Sequence, residues 1–229
     1  RNDSGGAVLA VGGGNKADYA YRSQLVGVGN TLTGTAAEKA AYNLLNGYKN
    51  TGINVSGVTV IGTNRTISNA KDTIVMGSSA GGITTTASKA VILGSEANAE
   101  KDGGVAIGAD SIASVDKGVA GYDPAAGDHS NDTTGTWKAT AAAVSVGKAA
   151  TPTSAAVTRQ ITNVAAGAAD TDAVNVAQLK KAVAGAADGN DKLVNDNNAL
   201  SLNGNKLSMS VKDTAGNEVK GSVDLSAIA

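Results

Sequence analysis

The one histidine of this chain, His129, stands in the run "DPAAGDHSND" with Asp123, Asp128 and Asp132 around it, a grouping whose side chains could ligate a divalent cation. One imidazole with aspartates at irregular spacing matches no established ligand pattern, so solvated loop chemistry is the expected reading. A Ser-His-Asp relay would have to use the same His129, and no nucleophile-elbow sequence accompanies it. The run "DGNDKLVNDNNA" (188–199) has the length of a calcium loop, yet glycine stands at its position 2 where position 6 is needed. Ala199 fills position 12, where a bidentate Glu is required, so a polar turn is expected. "GGGNK" (12–16) lacks the Gly-Lys-Ser/Thr ending of a phosphate loop and reads as a turn. No cysteine is present to act as nucleophile, metal ligand or disulfide partner. The chain is therefore expected to have no catalytic, cofactor or metal site and not to be an enzyme.

The elements around these residues are set by an unusual composition. In 229 residues there are 30 glycines, five tyrosines, one tryptophan and no phenylalanine. Aromatic rings supply the largest buried areas per residue, so a wide single-chain core is not expected; thin layers or a core shared between chains are. The formal net charge is −1, without a basic stripe, which leaves no electrostatic footprint for nucleic acid or an anionic membrane. No apolar run approaches the roughly 20 residues that span a bilayer, and any membrane anchor or signal peptide is expected outside this sequence.

A short cassette of aliphatic residues closing on glycine recurs: "VTVIG" to Gly62, "TIVMG" to Gly77, "AVILG" to Gly94, "GVAIG" to Gly108 and "AVSVG" to Gly147, with weaker copies at Gly12 and Gly29. The three central spacings are 15, 17 and 14 residues, a solenoid rhythm. Alternation along a strand puts Val58 and Val60, Ile74 and Met76, Val91 and Leu93, Val105 and Ile107, and Val144 and Val146 on one face. Between them stand Thr59, Val75, Ile92, Ala106 and Ser145. Both faces are largely apolar or small, so one is expected to fill a narrow two-sided coil. The other, with Val75, Ile92 and Ala106, is expected to meet other subunits. The five glycines Gly62, Gly77, Gly94, Gly108 and Gly147 are expected at the repeat turns. A bare stack of such coils would bury too little to offset an ordering cost of about 1–2 kcal/mol per residue, which again favours an oligomer.

Two insertions break the rhythm. Residues 31–57 hold "TAAEKAAYNLLNG", in which Thr35 and Glu38 form a capping-box pair, Ala37, Ala41, Leu44 and Tyr48 fall at helical spacing and Gly47 would stop the element. A short helix is expected there. Residues 115–142 are polar and turn-rich and carry Tyr122, His129 and Trp137, which suggests an ordered loop and makes these three the candidate ligand-contacting residues.

After the last cassette, "RQITNVAAGAADTDAVNVAQLKK" (159–181) passes into a helix, with Asp170 or Thr171 as cap, Asp172 in the first turn, and Val176, Leu179, Val183 and Ala186 at 3, 4, 3 spacing. A coiled-coil seam and an ordinary one-faced helix both give that spacing. Residues 199–225 alternate and turn at Asn203-Gly204 and Gly216-Asn217, which predicts β hairpins.

The cassettes and, more specifically, "QITNVAAGAADTDAVNVAQLKK" resemble the head repeats and neck of the YadA-like trimeric autotransporter adhesins; "GYDP…W…AVSVG" (121–147) resembles the segment leading from such heads into the neck. The resemblance covers residues 58–187 and extends less specifically over 7–57. It implies a mainly β, homotrimeric protein. Residues 1–158 would form a left-handed parallel β-roll head with the helical insert (31–57) and the loop insert (115–142). Residues 159–187 would form a neck and the start of a short coiled coil, with Ile161, Val164, Val176, Leu179 and Val183 facing the trimer axis. Residues 188–229 would be a small β-rich connector. The neck would narrow a wide head onto a stalk, at the surface of a bacterium with its anchor in the outer membrane. The partners implied are a host extracellular-matrix or cell-surface receptor, or another bacterial surface. Collagen binding in the family goes with repeats like "NSVAIG", whereas "GGVAIG" (103–108) lacks the Asn-Ser. Competing readings are an architectural spacer, a phage-type receptor-binding fibre and a hexapeptide-repeat acyltransferase; the sixfold period of the last is missing.

Overall fold

The computed structural model describes residues 7–188, 200–212 and 216–228. The chain divides into two units, Arg1–Gln160 and Ile161–Ala229.

In the first unit each aliphatic-Gly cassette becomes one strand of a single parallel sheet. Val8–Val11, Ser23–Val28, Leu44–Tyr48, Thr59–Thr63, Ile74–Met76, Val91–Leu93, Val105–Ile107 and Val144–Ser145 stack in sequence order. The more polar segments form a second parallel sheet from Lys16–Asp18, Thr31–Thr33, Thr51–Ile53, Arg65–Ser68 and Ile83–Thr85, and Asn98–Ala99 pairs with Ile112–Ala113. A third row of parallel bridges runs through Ala20–Tyr21, Ala40–Ala41, Ser56 and Lys71. The coils therefore have a third side where only two were expected. This is a parallel β-solenoid whose successive turns pair through their backbones.

The solenoid carries its own core. Leu25, Leu45, Val60, Val75, Ile92 and Ala106 are consecutive register partners and all are fully buried inside the coils. Leu32, Ile67, Ala99 and Ala113 face them from the other side. The expected faces are thus exchanged: Val75, Ile92 and Ala106 fill the interior of one chain, while Ile74, Met76 and Ile107 point out. The cause is a one-residue offset. The invariant reference is the closing glycine, and the residue two before it points in; counting "VTVIG" from its first valine places Val58 and Val60 one step out of phase with the later cassettes. A shift of one residue moves a strand's whole side-chain set to the other face.

No helix forms over 31–57; the segment is another turn of solenoid, with strands Thr31–Thr33, Ala40–Ala41, Leu44–Tyr48 and Thr51–Ile53. The Thr35–Glu38 pair closes a tight turn: the Glu38 N–H donates to Thr35 Oγ1 at 2.9 Å and the Thr35 N–H donates to the Glu38 carbonyl at 2.7 Å. "NLLNG" is a disguised cassette in which Leu45 is the inward residue and Asn46 replaces the usual second outward aliphatic. Its pairing to the flanking strands through Gly27↔Gly47 and Gly47↔Gly62 overrides a weak helical spacing.

The glycine column is a steric requirement. A β-carbon built on Gly12 would collide with the carbonyl oxygen of Gly27, and the same holds for Gly27 on Gly47, Gly47 on Gly62, Gly62 on Gly77 and Gly77 on Gly94. Gly94 meets Gly108 in the same way. Gly147 stands outside this column, against the carbonyl of Val157, and the weak copy assigned to Gly29 belongs at Gly27.

In the second unit the helix Val176–Asp188 precedes a three-stranded antiparallel sheet of Leu200–Asn203, Lys206–Lys212 and Glu218–Asp224. Its first turn contains Gly204 at φ 58° and its second Gly216 at φ 86°, left-handed positions that glycine fills at little cost. Most of the calcium-like run 188–199 lies outside the described residues. No helix among the described residues is long and apolar enough to cross a membrane.

Candidate functional site

The interior of the solenoid is committed to packing, so its surfaces, its end and the second unit are where a site can lie. Three asparagines one step inside the turns hold the outer shape, Asn30 and Asn50 buried and Asn15 half-buried. Asn30 donates its side-chain amide to the carbonyls of Val26 and Gly47, each at 3.1 Å, and its Oδ1 accepts both the backbone and side-chain N–H groups of Asn50, each at 3.1 Å. Asn15 makes the same set one coil earlier and Asn50 one coil later, where its Oδ1 accepts the Arg65 N–H at 3.1 Å. This ladder escaped the reading of the sequence, although the signal is present as glycine followed by asparagine three residues on, at 12–15, 27–30 and 47–50.

Arg65 replaces asparagine in the fourth coil. Its side chain is fully buried and reaches along the stack to the carbonyl of Ala97, 2.5 Å from Nη2. Burial pushes its pKa down, opposed by the charge of Glu96. Glu96 in turn lies below the usual carboxylate range, mainly because it accepts the Ala80 N–H, then through Ser79 Oγ and the nearby Arg65.

Arg159 closes the stack. Its guanidinium lies against Gly108, where the next glycine of the column would come, with Cζ 3.0 Å from a β-carbon built there. Nη1 donates to the Val146 carbonyl at 2.5 Å and to Ser111 Oγ at 3.2 Å; Nη2 donates to the Ala109 carbonyl at 2.7 Å. Beside it is an open, mostly apolar recess of about 470 Å³ that Val115, Val144, Val146 and Val157 help to line. The sequence showed Arg159 only as the first residue of the neck; no spacing within the chain marks it as a terminator.

On the outward side of the main sheet two apolar rows run across the coils. Ile61, Met76, Leu93 and Ile107 are register partners, as are Ile74, Val91, Val105 and Val144. Ile74, Met76, Ile107 and Val144 are more than a third exposed in the single chain.

The loop insert is ordered around a two-residue antiparallel pair in which Tyr122 is the partner of His129 and Asp123 of Asp128. Tyr122 and His129 are exposed and brought together; Trp137 is half-buried, and its carbonyl accepts the Gly121 N–H at 2.7 Å. The aspartates serve the local backbone: Asp123 accepts from the Ala125 N–H, Asp128 from the His129 N–H and Asp132 from the Thr134 N–H. That last bond holds the Asp132 carboxyl below its ordinary range. Among the described residues no three metal-ligating side chains gather.

In the second unit the helix is capped by Asn175, not by Asp170 or Thr171. Asn175 Oδ1 accepts the Gln178 N–H at 3.0 Å and Gln178 Oε1 accepts the Asn175 N–H at 3.2 Å, a reciprocal capping box. The same two side chains fasten the preceding strand-like segment. Gln178 exchanges hydrogen bonds with both backbone groups of Gly167, and Asn175 Nδ2 donates to the Val164 carbonyl. Asp172 binds the N–H groups of Ala168 and Ala169, and the hydrogen bonds from Ala169 and then Ala168 lower its pKa. The helix start is thereby welded to the segment "NVAAG". Ile161 is 72% exposed, and Val176, Leu179 and Val183 are 67%, 58% and 60% exposed, while Val164 is half-buried. A seam of this kind on a single chain has nothing of its own to bury against.

Residues 160–202 match the family described as the coiled stalk of trimeric autotransporter adhesin. This match falls on the stretch that resembles the YadA-like trimeric autotransporter adhesins and supports that resemblance. A stretch of 63 residues is also 48% identical to the autotransporter adhesin BadA of Bartonella henselae. It covers 28% of this chain and 2% of that protein, so the chain spans only a small part of the relative's length. The YadA-like match begins one residue after Arg159 and runs into the first strand of the terminal sheet, and the exposed seam Val176, Leu179 and Val183 lies inside it.

Proposed function

We propose that this chain is part of a non-enzymatic adhesin held at the surface of a bacterium by an outer-membrane anchor. Three copies would join through the neck seam, and attachment to host matrix, host cells or other bacteria would fall to the solenoid head. The observation that carries the reading is the stalk match over 160–202 placed on a helix whose apolar seam is bare in one chain. The outward rows containing Ile74, Met76, Ile107 and Val144 supply a second apolar surface for the neighbouring copies, in place of Val75, Ile92 and Ala106.

Attachment then falls to the turns, the polar strands and the loop with Tyr122, His129 and Trp137. These surfaces are shallow, and each contact is expected to be weak. Three copies on one head, and many heads on one cell, add roughly 10²–10⁴-fold in avidity without any new contact. The test is light scattering for the trimer, followed by binding of the chain to arrayed matrix proteins and cells at high and low ligand density. A steep fall of apparent affinity with density is expected. A well-folded monomer at micromolar concentration overturns the reading, and a trimer with no attachment at any density leaves an architectural spacer in its place.

A further inference from the structure

Four of the five tyrosines lie between residues 19 and 48, and three side chains there occupy backbone positions that suit them poorly. Tyr19, Arg22 and Tyr42 have φ of 46°, 48° and 60°. The left-handed region is natural for glycine, asparagine and aspartate and unfavourable for bulky side chains. Arg22 and Tyr42 sit at one corner of successive coils, since Tyr21 pairs with Ala41, and Ala41 with Ser56 and Ser56 with Lys71 after it. The next three coils place Gly57, Asp72 and Lys89 at that corner, Lys89 at φ 56°. The fold therefore makes this turn with small and long side chains alike, and the corner is distinguished by what Arg22 and Tyr42 present.

What the corner presents is a small platform. The Arg22 guanidinium lies 5.5 Å from the ring centroid of Tyr21 and 5.7 Å from that of Tyr42, and its Nη1 donates to Tyr42 Oη at 2.8 Å. The two rings are 5.9 Å apart at 58°. Tyr42 is nevertheless 55% exposed. Beside it opens a recess of about 210 Å³ whose walls include Tyr21, Tyr42, Glu38, Lys39, Asn54 and Lys71.

We propose that this corner is a binding site for an acidic saccharide, as a deeper reading of the adhesive function proposed above. The exposed ring of Tyr42 offers a flat apolar face to the C–H side of a sugar. Arg22 fixes that ring by stacking and by its hydrogen bond, so little side-chain freedom is lost on binding. Glu38 and Asn54 accept and donate hydrogen bonds to hydroxyls. Lys39 and Lys71, with Arg22 behind, give the recess a positive balance that pairs with a carboxylate or sulfate. Tyrosine and arginine are also the residues that concentrate binding energy at protein surfaces.

The test uses the whole chain and two probes, a sulfated heparin-type hexasaccharide and a sialylated trisaccharide, with a neutral oligosaccharide as control. Binding of one acidic probe and not of the neutral one is expected, weakening as salt is raised, and the probe that binds names the source of the acid group. Tyr42→Asn keeps a residue that tolerates the left-handed turn, so the chain should fold with unchanged or raised Tm while affinity falls at least tenfold. Lys39→Gln with Lys71→Gln should lower both affinity and its salt dependence. Equal affinity of the Tyr42→Asn variant, or no binding of either acidic probe at millimolar concentration, overturns the proposal. If the chain still attaches to cells or matrix in that case, the adhesive reading stands and only the saccharide site falls.

Discussion

The solenoid and the terminal unit are built from equally small residues, but they handle their apolar surface in opposite ways. In the solenoid one inward side chain per strand, from Leu25 to Ala106, is fully buried within the chain. In the terminal sheet Leu200 pairs with Met209, Leu202 with Leu207 and Leu207 with Val223, so these side chains share one face with Val211. Of these only Val211 is buried, while Leu200, Leu202 and Val223 are 60–65% exposed. A closed coil creates an inside from a single chain. An open sheet of three strands and a lone helix have only a face, and a face is stabilised by whatever covers it. The solenoid is therefore expected to hold its local structure without partners, and the helix and sheet to depend on whatever covers them.

The largest blow to the first half of this comparison is Gly77→Ala. The new β-carbon would overlap the Gly94 carbonyl, and neither backbone can yield without unpairing its coil. Loss of a folded head is expected, read as collapse of the β-sheet circular dichroism; a protein with unchanged Tm would show that the column is not close-packed. Asn30→Ala is expected to cost about 2–5 kcal/mol, because it strands the N–H groups of Asn50 and the carbonyls of Val26 and Gly47. Chemical denaturation of residues 1–160 measures it.

The second half breaks with Val176→Asp, which would place three carboxylates close together on the proposed axis at a cost of several kcal/mol per ion. Loss of the trimer by light scattering is expected while the head keeps its hydrogen-exchange protection. If head and neck melt together, the two regions are not independent. Gln178→Ala is milder. It removes the capping box and the bonds to Gly167, and a loss of about 1 kcal/mol from the neck transition alone is expected.

The smallest effect concerns pH. Glu96 has a folded pKa below its ordinary value, so it binds fewer protons folded than unfolded, and its contribution is present above the unfolded value of about 4.5 and lost as pH falls through the lower folded value. Glu96→Gln should flatten the decline of head Tm in that acidic window and leave the neck unaffected.

The repeat, the stalk-family segment and the terminal hairpins were legible because each leaves a short, regular mark: glycine closing an aliphatic run, the "NVAAG…NVAQL" string, and alternation around Asn203-Gly204. What was lost depended on reference points. The inward set was misassigned because alternation has period 2, and only the glycine says which phase is inside. The helix over 31–57 was a mirage of small residues: Ala37, Ala41 and Leu44 fit a helical spacing, but Ala40 and Ala41 form one short strand and Leu45 lies on the next, all three buried. Contacts across coils, such as Arg159 on Gly108 or Arg65 on Ala97, join residues dozens of positions apart and leave no local trace. Of the loop candidates, Tyr122 and His129 do meet, whereas the strained corner at Arg22 and Tyr42 is visible only once φ is known.

The dimensions of the coil bear on what a solenoid of this design can offer. Each turn consumes about 15 residues, as between Gly47, Gly62 and Gly77, and adds one strand spacing of about 4.8 Å along the stack. The same 15 residues in a helix would add about 22 Å. As a means of gaining distance from a cell, the solenoid is several times less productive per residue than a stalk. What it gains is girth: every turn exposes a fresh belt of corners and polar strand faces around its circumference. A chain selected for reach would have little use for eight stacked strands, and a chain selected for display area would add turns and leave Arg159 to close the last one.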